Sequence, residues 1–264
     1  MANINVDAIK IGFVLGGLFF FLILELVIPY RENSVSKIRR WMNNLTLGMI
    51  NIIFYEVVVA SLLITTASFV TKENIGLLNL VEIPTWLKIV DTIVFMDLMF
   101  YFLHILIHRI PLLWRFHRVH HTDLDVDVST AMRFHLVEVC FRSIFGIGLV
   151  YFIGAEPVGV FIFECLFLLC FFFQHSGIRM PGQIESLYWI LFVPPAMHRI
   201  HHSVDLEERN TNFGGIFSIW DRIFGTLLTG VNQEQIWTGV DGHIQEKKLE
   251  IYHLLWMPFT PAVK

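Results

Sequence analysis

Residues 86–108, WLKIVDTIVFMDLMFYFLHILIH, decide the fold. The run stays apolar over the roughly 20 residues that a helix needs to cross a bilayer core. It closes on Asp97-x3-Tyr101-x2-His104-x3-His108. Steps of three and four keep these four residues on one helical face, so His104 and His108 can reach one metal ion. The stretch therefore predicts a membrane helix with metal ligands at its rim.

The rest of the chain agrees with that solvent. Of 264 residues, 55% are hydrophobic and 16% charged, and the mean hydropathy is +0.61. A soluble domain carries nearer a quarter charged residues. The net charge of −4 comes with no basic patch, so nucleic acid is not expected as a partner. Cys140, Cys165 and Cys170 lie in or beside apolar runs at no metal-like spacing and read as buried thiols. Ile11–Pro29 forms a first apolar run, too long and without the small-residue site of a cleaved signal peptide. Arg31, Lys37, Arg39 and Arg40 follow it and mark a cytoplasmic face. A second span is expected over Leu45–Val70 and a third over Trp86–Ile107. The apolar stretch Ser143–Phe173, broken by Gly154-Ala-Glu-Pro157, predicts a helical hairpin. Ile184, Leu187, Tyr188 and Leu191 share one helical face and suit a membrane interface.

The expected architecture is all-α, a single membrane domain over 1–264. Three transmembrane helices occupy 11–107, a first histidine-bearing cap segment 108–142, the hairpin 143–173, and a cytosolic cap 174–264. About five spans put the N-terminus outside and the clustered histidines in the cytoplasm. Short loops and the absence of a sorting tail favour a bacterial inner membrane, with the endoplasmic reticulum as the counterpart in a eukaryote.

Twelve histidines are present, and most are clustered. His117-Arg-Val-His120-His121 recurs far downstream as His198-Arg-Ile-His201-His202. At this histidine content, random placement yields such a box roughly 0.02 times per chain. On a helix the first and fourth residues of a box project to one side with the fifth beside them, which brings three imidazoles near a common point. His135 and His175 fall between the boxes at the membrane edge and are added as ligands, whereas His243 and His253 read as surface residues. Eight to ten imidazoles exceed the four to six ligands of one ion, so two ions are implied. Imidazole suits Zn, Cu, Fe and Ni alike. His-Glu-x-x-His, the zinc protease box, is absent, as are the Glu-x-x-His pairs of soluble di-iron bundles. Asp97, Asp123, Asp125, Glu138 and Asp205 are available to orient the imidazoles.

The set His104-x3-His108, His117-x2-His120-His121 and His198-x2-His201-His202 resembles the fatty acid hydroxylase/sterol desaturase superfamily. The likeness extends to Arg39-Arg40-Trp41-x-Asn43-Asn44, Arg133-x-His135-x2-Glu138, Asn210-Thr211-Asn212-Phe213-Gly214 and Ser218–Thr226. Gly177 follows His175-Ser176 where the family often has Asn. The resemblance implies a di-iron site, in which Zn can substitute, held by His104, His108, His117, His120, His121, His135, His175, His198, His201 and His202, with Asp97 as an orienting residue. It also implies O2 as oxidant, a membrane lipid as substrate, and electrons from a separate donor, cytochrome b5-like or a ferredoxin with its reductase. Hydroxylation and desaturation of a lipid C–H bond both occur in the superfamily, as does ether-lipid cleavage. The rival reading is a non-catalytic metal-binding membrane protein or a transporter. A transporter places its ligands near the bilayer midplane, whereas these sit at one edge. Asn210, Asn212, Trp220, Asp221 and Arg222 read as the packing of a cap, and the 25 phenylalanines as plain helix packing.

Overall fold

The computed structural model of the chain describes residues 6–261. Its elements follow the hydropathy pattern, because a segment in lipid must satisfy its backbone internally. In order they are α1 (Val6–Val27), α2 (Lys37–Phe54), α3 (Ala60–Lys72), α4 (Thr85–Arg109), α5 (Pro111–His121), α6 (Leu136–Ile153) and α7 (Pro157–His175). Five short helices complete the cap: α8 (Gly182–Tyr188), α9 (Pro195–His201), α10 (Leu206–Arg209), α11 (Ile219–Ile223) and α12 (Ile251–Trp256). Among the described residues β structure is limited to isolated bridges, such as Pro29 with Ile178.

Among the described residues, four helical segments are long and apolar enough to cross a membrane: Lys37–Asn79, Thr85–Arg109, Leu136–Ile153 and Pro157–His175. The described apolar part of α1, Gly12–Val27, is shorter. α4 packs along α7 and continues into α5, α1 lies on α7, and α3 lies on α6 and α7. Val59, Leu63, Met96, Val150, Val160, Phe163 and Ile216 form the apolar core between them. Gly159 lets α7 approach α4, since a Cβ there would stand 2.9 Å from Thr92 Cβ.

Two boundaries differ from the sequence expectation. The helix that carries the second span begins at Lys37, ahead of Leu45, and its path includes a π-helical turn at Tyr55–Val59. A path from Lys37 to Lys72 rises roughly 50 Å, well beyond a bilayer core, and its first turns pack on the segment that follows α5. There Arg40 is buried against Asp123 at 2.6 Å and Asp127 at 3.0 Å. Asn44 donates to Asp123 and Ser129. The hairpin is longer than 143–173 because α6 begins at Leu136, capped by His135. Its turn is as expected: Gly154 is left-handed with φ 70°, the Glu156 carboxylate caps α7, and Pro157 opens it. On α8, Ile184 and Leu187 are exposed while Tyr188 packs against Phe173 and Phe192.

Candidate metal centre

Nine imidazoles converge where α4, α5, α7 and α9 meet. They form two adjoining groups, each with its ligand atoms within 4.8 Å of one another: His104, His108, His117, His121 and His201, and His120, His175, His198 and His202. His121 and His202 stack across the boundary with ring centres 4.3 Å apart. Each box is therefore divided between the groups instead of serving one point. At about 100° per residue, the first and fifth residues of a box nearly eclipse, and the fourth falls to their other side. So His117 and His121 face one group and His120 the other, while His198 and His202 face the second and His201 the first.

Backbone and carboxylate oxygens orient the rings from outside. His104 Nδ1 lies 3.0 Å from Phe213 O, His201 Nδ1 2.8 Å from Thr211 O, His175 Nδ1 2.7 Å from Phe171 O, and His117 Nδ1 2.7 Å from Glu138 Oε1. A carbonyl oxygen only accepts, so those of Phe213, Thr211 and Phe171 fix the Nδ1–H tautomer of their rings and leave each Nε2 a lone pair pointing inward. His104 Nε2 and His201 Nε2 then face each other at 3.1 Å with no proton to share. His175 Nε2 stands 2.9 Å from His198 Nε2 and 3.0 Å from His120 Nε2. Nδ1 of His120, His121, His198 and His202, together with Nε2 of His108 and His202, are buried with no protein hydrogen-bond partner. Such convergence of lone pairs is costly without a cation and suits one. Burial, reinforced by the neighbouring imidazoles, holds His120, His121, His198 and His202 well below the ordinary histidine pKa. His201 is pushed down to about 3, chiefly by burial. The rings are neutral at pH 7, the form that binds a metal. Each group could hold a metal ion.

Two expected site residues stand elsewhere. His135 joins neither group: its Nδ1 accepts the Val137 N–H at the start of α6, and its ring lies against Phe116 and Phe259. Asp97 touches no imidazole. Its carboxylate accepts from Ile216 N at 2.8 Å, Phe217 N at 3.1 Å and Trp220 Nε1 at 2.8 Å, so it anchors the loop that carries Phe213 O to His104. Asp221 holds the same loop by accepting from Phe213 N and Gly214 N. Asn212, left-handed at φ 57°, ties it to Met197 O and Leu228 O. The expected packing role of Asn212, Trp220 and Asp221 is thus met, and it is what orients His104 and His201. Of the other carboxylates, Glu138 reaches an imidazole, whereas Asp123, Asp125 and Asp205 bond to Arg40, Ser34 and the start of α10. His253 is exposed and His243 half-buried, both outside the groups.

A cavity of about 300 Å³ opens between α1, α2, α6 and α7. It is lined by apolar residues such as Met96, Met132, Phe163 and Leu168, with Asn51, Tyr55, Glu56, Arg142, Ser143 and Glu164 as polar exceptions. A small cleft against His104, His117, His120 and His198 shares Phe100, Arg142, Phe167 and Phe171 with it. Those four residues, the neck, line both spaces. Sequence reading missed this role, because phenylalanine in a span carries no mark that separates a cavity wall from a packed face.

The sequence pattern of the fatty acid hydroxylase family ("Fatty acid hydroxylase") matches residues 89–226, a segment that contains all nine convergent histidines. The chain is similar to the alkylglycerol monooxygenase of Xenopus tropicalis, 27% identical over 92% of this chain and 54% of that protein. It is similar to the ornithine lipid hydroxylase OlsE of Rhizobium tropici, 30% identical over 61% of this chain and 48% of that one. Cholesterol 25-hydroxylase of Homo sapiens is 28% identical over 56% of this chain and 55% of its own length. The chain thus spans about half the length of these relatives. No solved structure matches. With the match running from the start of the ligand helix α4 to Thr226, beyond both boxes, the chain belongs to the fatty acid hydroxylase family.

Proposed function

We propose that this chain is a membrane lipid oxidoreductase that uses O2 and external electrons to hydroxylate or desaturate a lipid C–H bond. The observation that carries the reading is the neck: an apolar cavity of about 300 Å³ shares four wall residues with a cleft lined by His104, His117, His120 and His198. A metal store needs the ligands but no such cavity. Two irons, one in each histidine group, with Zn able to substitute, fit the neutral donor set. When bound they supply the activation of O2 that attack on an unactivated C–H bond requires and that no side chain provides. The protein's share is position and exclusion. Phe100, Phe167 and Phe171 seat a hydrocarbon chain in the neck and keep water from the reacting carbon. Glu138 and the carbonyls of Thr211, Phe213 and Phe171 hold four imidazoles in register. The lipid-hydroxylating relatives support the same substrate class.

The orientation we infer has five spans, with the N-terminus outside and the histidine cap in the cytoplasm. Arg31, Lys37, Arg39 and Arg40 supply the positive-inside signal. Contact of Arg40 with Asp123 ties that basic segment to the side of the membrane that carries the histidines. Electrons come from a separate donor, a cytochrome b5-like protein or a ferredoxin with its reductase.

The test is lipid mass spectrometry on membranes supplied with iron, a donor system and O2. A lipid should gain the mass of one oxygen atom or lose that of two hydrogens, and the conversion should stop without O2 and in His201→Ala. Identical lipid spectra for the wild type and His201→Ala under full supply would refute the oxidase reading.

A further inference from the structure

We propose that Arg142 is a specificity-determining residue whose guanidinium, at the neck, binds an acceptor oxygen at the polar end of the lipid. Oxidation is thereby set on a carbon close to that end. The inference rests on the lipid-oxidising reading above and names the kind of lipid it requires.

Three other buried arginines of this chain have several acceptors each. Arg40 is paired with two carboxylates. Arg133 donates to Val119 O, Asn44 Oδ1 and Thr122 Oγ1. Arg118 donates to Pro261 O, to Met257 O and to both oxygens of Thr260. Arg118 Nε and Arg209 Nη1 are buried without a partner, but Arg40, Arg133 and Arg118 each have two or more of the acceptors that a desolvated guanidinium demands. Arg142 does not. Among the described residues its one hydrogen bond runs from Nη1 to Glu138 Oε1 at 3.3 Å, and that oxygen already takes the shorter bond from His117 Nδ1. On its flanks are aromatic faces, with the guanidinium 5.8 Å from the centre of Phe100 and 5.6 Å from that of Phe134. The side chain retains 18% exposure, and the space it borders is the cavity and the cleft. An under-bonded cation at the rim of a membrane helix is expensive and marks a site for a partner.

The surroundings specify the partner. Among the described residues that line either space, Arg142 is the only cationic side chain. The cavity wall also carries Glu56, Glu164 and Tyr55, the tyrosine hydroxyl donating to Glu164. An anionic or carbonyl oxygen is therefore favoured at Arg142 and disfavoured beside the two glutamates. Two hydrogen bonds link the guanidinium to His117 through Glu138, so a lipid oxygen on Arg142 lies beside the metal centre. The hydrocarbon tail then extends away from the histidines into the apolar cavity. A carboxylate and an ester carbonyl both offer this chemistry, and a plain alkane does not.

The test is equilibrium binding of three radiolabelled probes of equal chain length, hexadecanoate, methyl hexadecanoate and hexadecane, to the purified full chain in detergent with its metal content measured. Wild type should bind at least one oxygenated probe about 10- to 100-fold more tightly than hexadecane, the range for a charge-assisted hydrogen bond. Binding of hexadecanoate alone would assign an acidic lipid, and binding of both an acyl carbonyl; either supports the proposal. Arg142→Gln and Arg142→Met should abolish the preference while hexadecane binding and metal content stay at wild-type values, which also shows the variants folded. No preference in the wild type, or a preference kept by both variants, would overturn the proposal. So would metal lost with the preference, because Arg142 would then act by supporting Glu138 and His117. Binding is read without turnover, so this result and that of the lipid-oxidation assay fail independently.

Discussion

Glu138→Gln tests whether the carboxylate on α6 tunes one metal position and spares the other. Glu138 Oε1 accepts from His117 Nδ1 at 2.7 Å and from Arg142 Nη1 at 3.3 Å, and its side chain is fully buried. A charged acceptor on the far nitrogen makes the imidazole a stronger donor to a metal and fixes its tautomer. The amide keeps the shape and one acceptor oxygen but removes the charge. Losses of that kind cost about 10- to 100-fold in metal affinity, which converts to roughly 1.4 to 2.7 kcal/mol. His117 belongs to the five-histidine group alone, and no histidine of the other group contacts Glu138 among the described bonds. The expected result is a chelator titration with two phases, one shifted by the stated factor and one at its wild-type position. Metal-stripped protein in detergent, reloaded with Fe(II) or Zn(II) against a competing chelator, gives both phases in one experiment. Unshifted phases would refute the tuning role. Equal shifts in both would refute the division of nine imidazoles into two metal positions.

His175→Ala should lower metal content in elemental analysis, whereas His135→Ala should leave it unchanged and cost only the helix start, about 1 kcal/mol in thermal unfolding. Asp97→Ala strands three donors, Ile216 N, which is buried, and the part-buried Phe217 N and Trp220 Nε1. A loss of about 3 kcal/mol or more is expected, with weaker lipid conversion because the loop that orients His104 loosens; unchanged unfolding would refute the anchoring role. For the metal-free protein, acid should destabilise: histidines held neutral by burial take up protons in the unfolded chain first. His201, with a folded pKa of about 3, loses stability as pH falls from about 6.5 towards 3, by up to about 1.4 kcal/mol per pH unit. His120, His121, His198 and His202 shift in the same direction. Thermal unfolding at pH 7.5 and 5.5, with and without metal, measures it, and a flat profile of the metal-free protein would refute it.

What the sequence conveyed and what it concealed divide along a physical line. Periods of three and four placed His104 with His108, and hydropathy placed the helices, because both are properties of a single segment. The sharing of metals between segments is different, since it depends on how α4, α5, α7 and α9 are rotated against one another. The box His117–His121 looked like three ligands for one point, yet a helix cannot point its first, fourth and fifth residues one way. Packing α5 between two groups uses that divergence, and the repeat at His198–His202 presents the complementary split from the other side. Helix ends were also hidden: Arg39 and Arg40 resemble a loop, but Arg40 is inside α2, neutralised by Asp123 and Asp127. His135 sat at the right depth between the boxes, and only the direction of its ring, turned back to Val137 N, separates a capping histidine from a ligand. Last, three of the four oxygens that orient the imidazoles are backbone carbonyls, of Phe171, Thr211 and Phe213. Any residue offers a carbonyl, so no residue type announces one. The legible traces are Asp97, Asn212 and Asp221, whose side chains hold the Thr211–Phe217 segment in place.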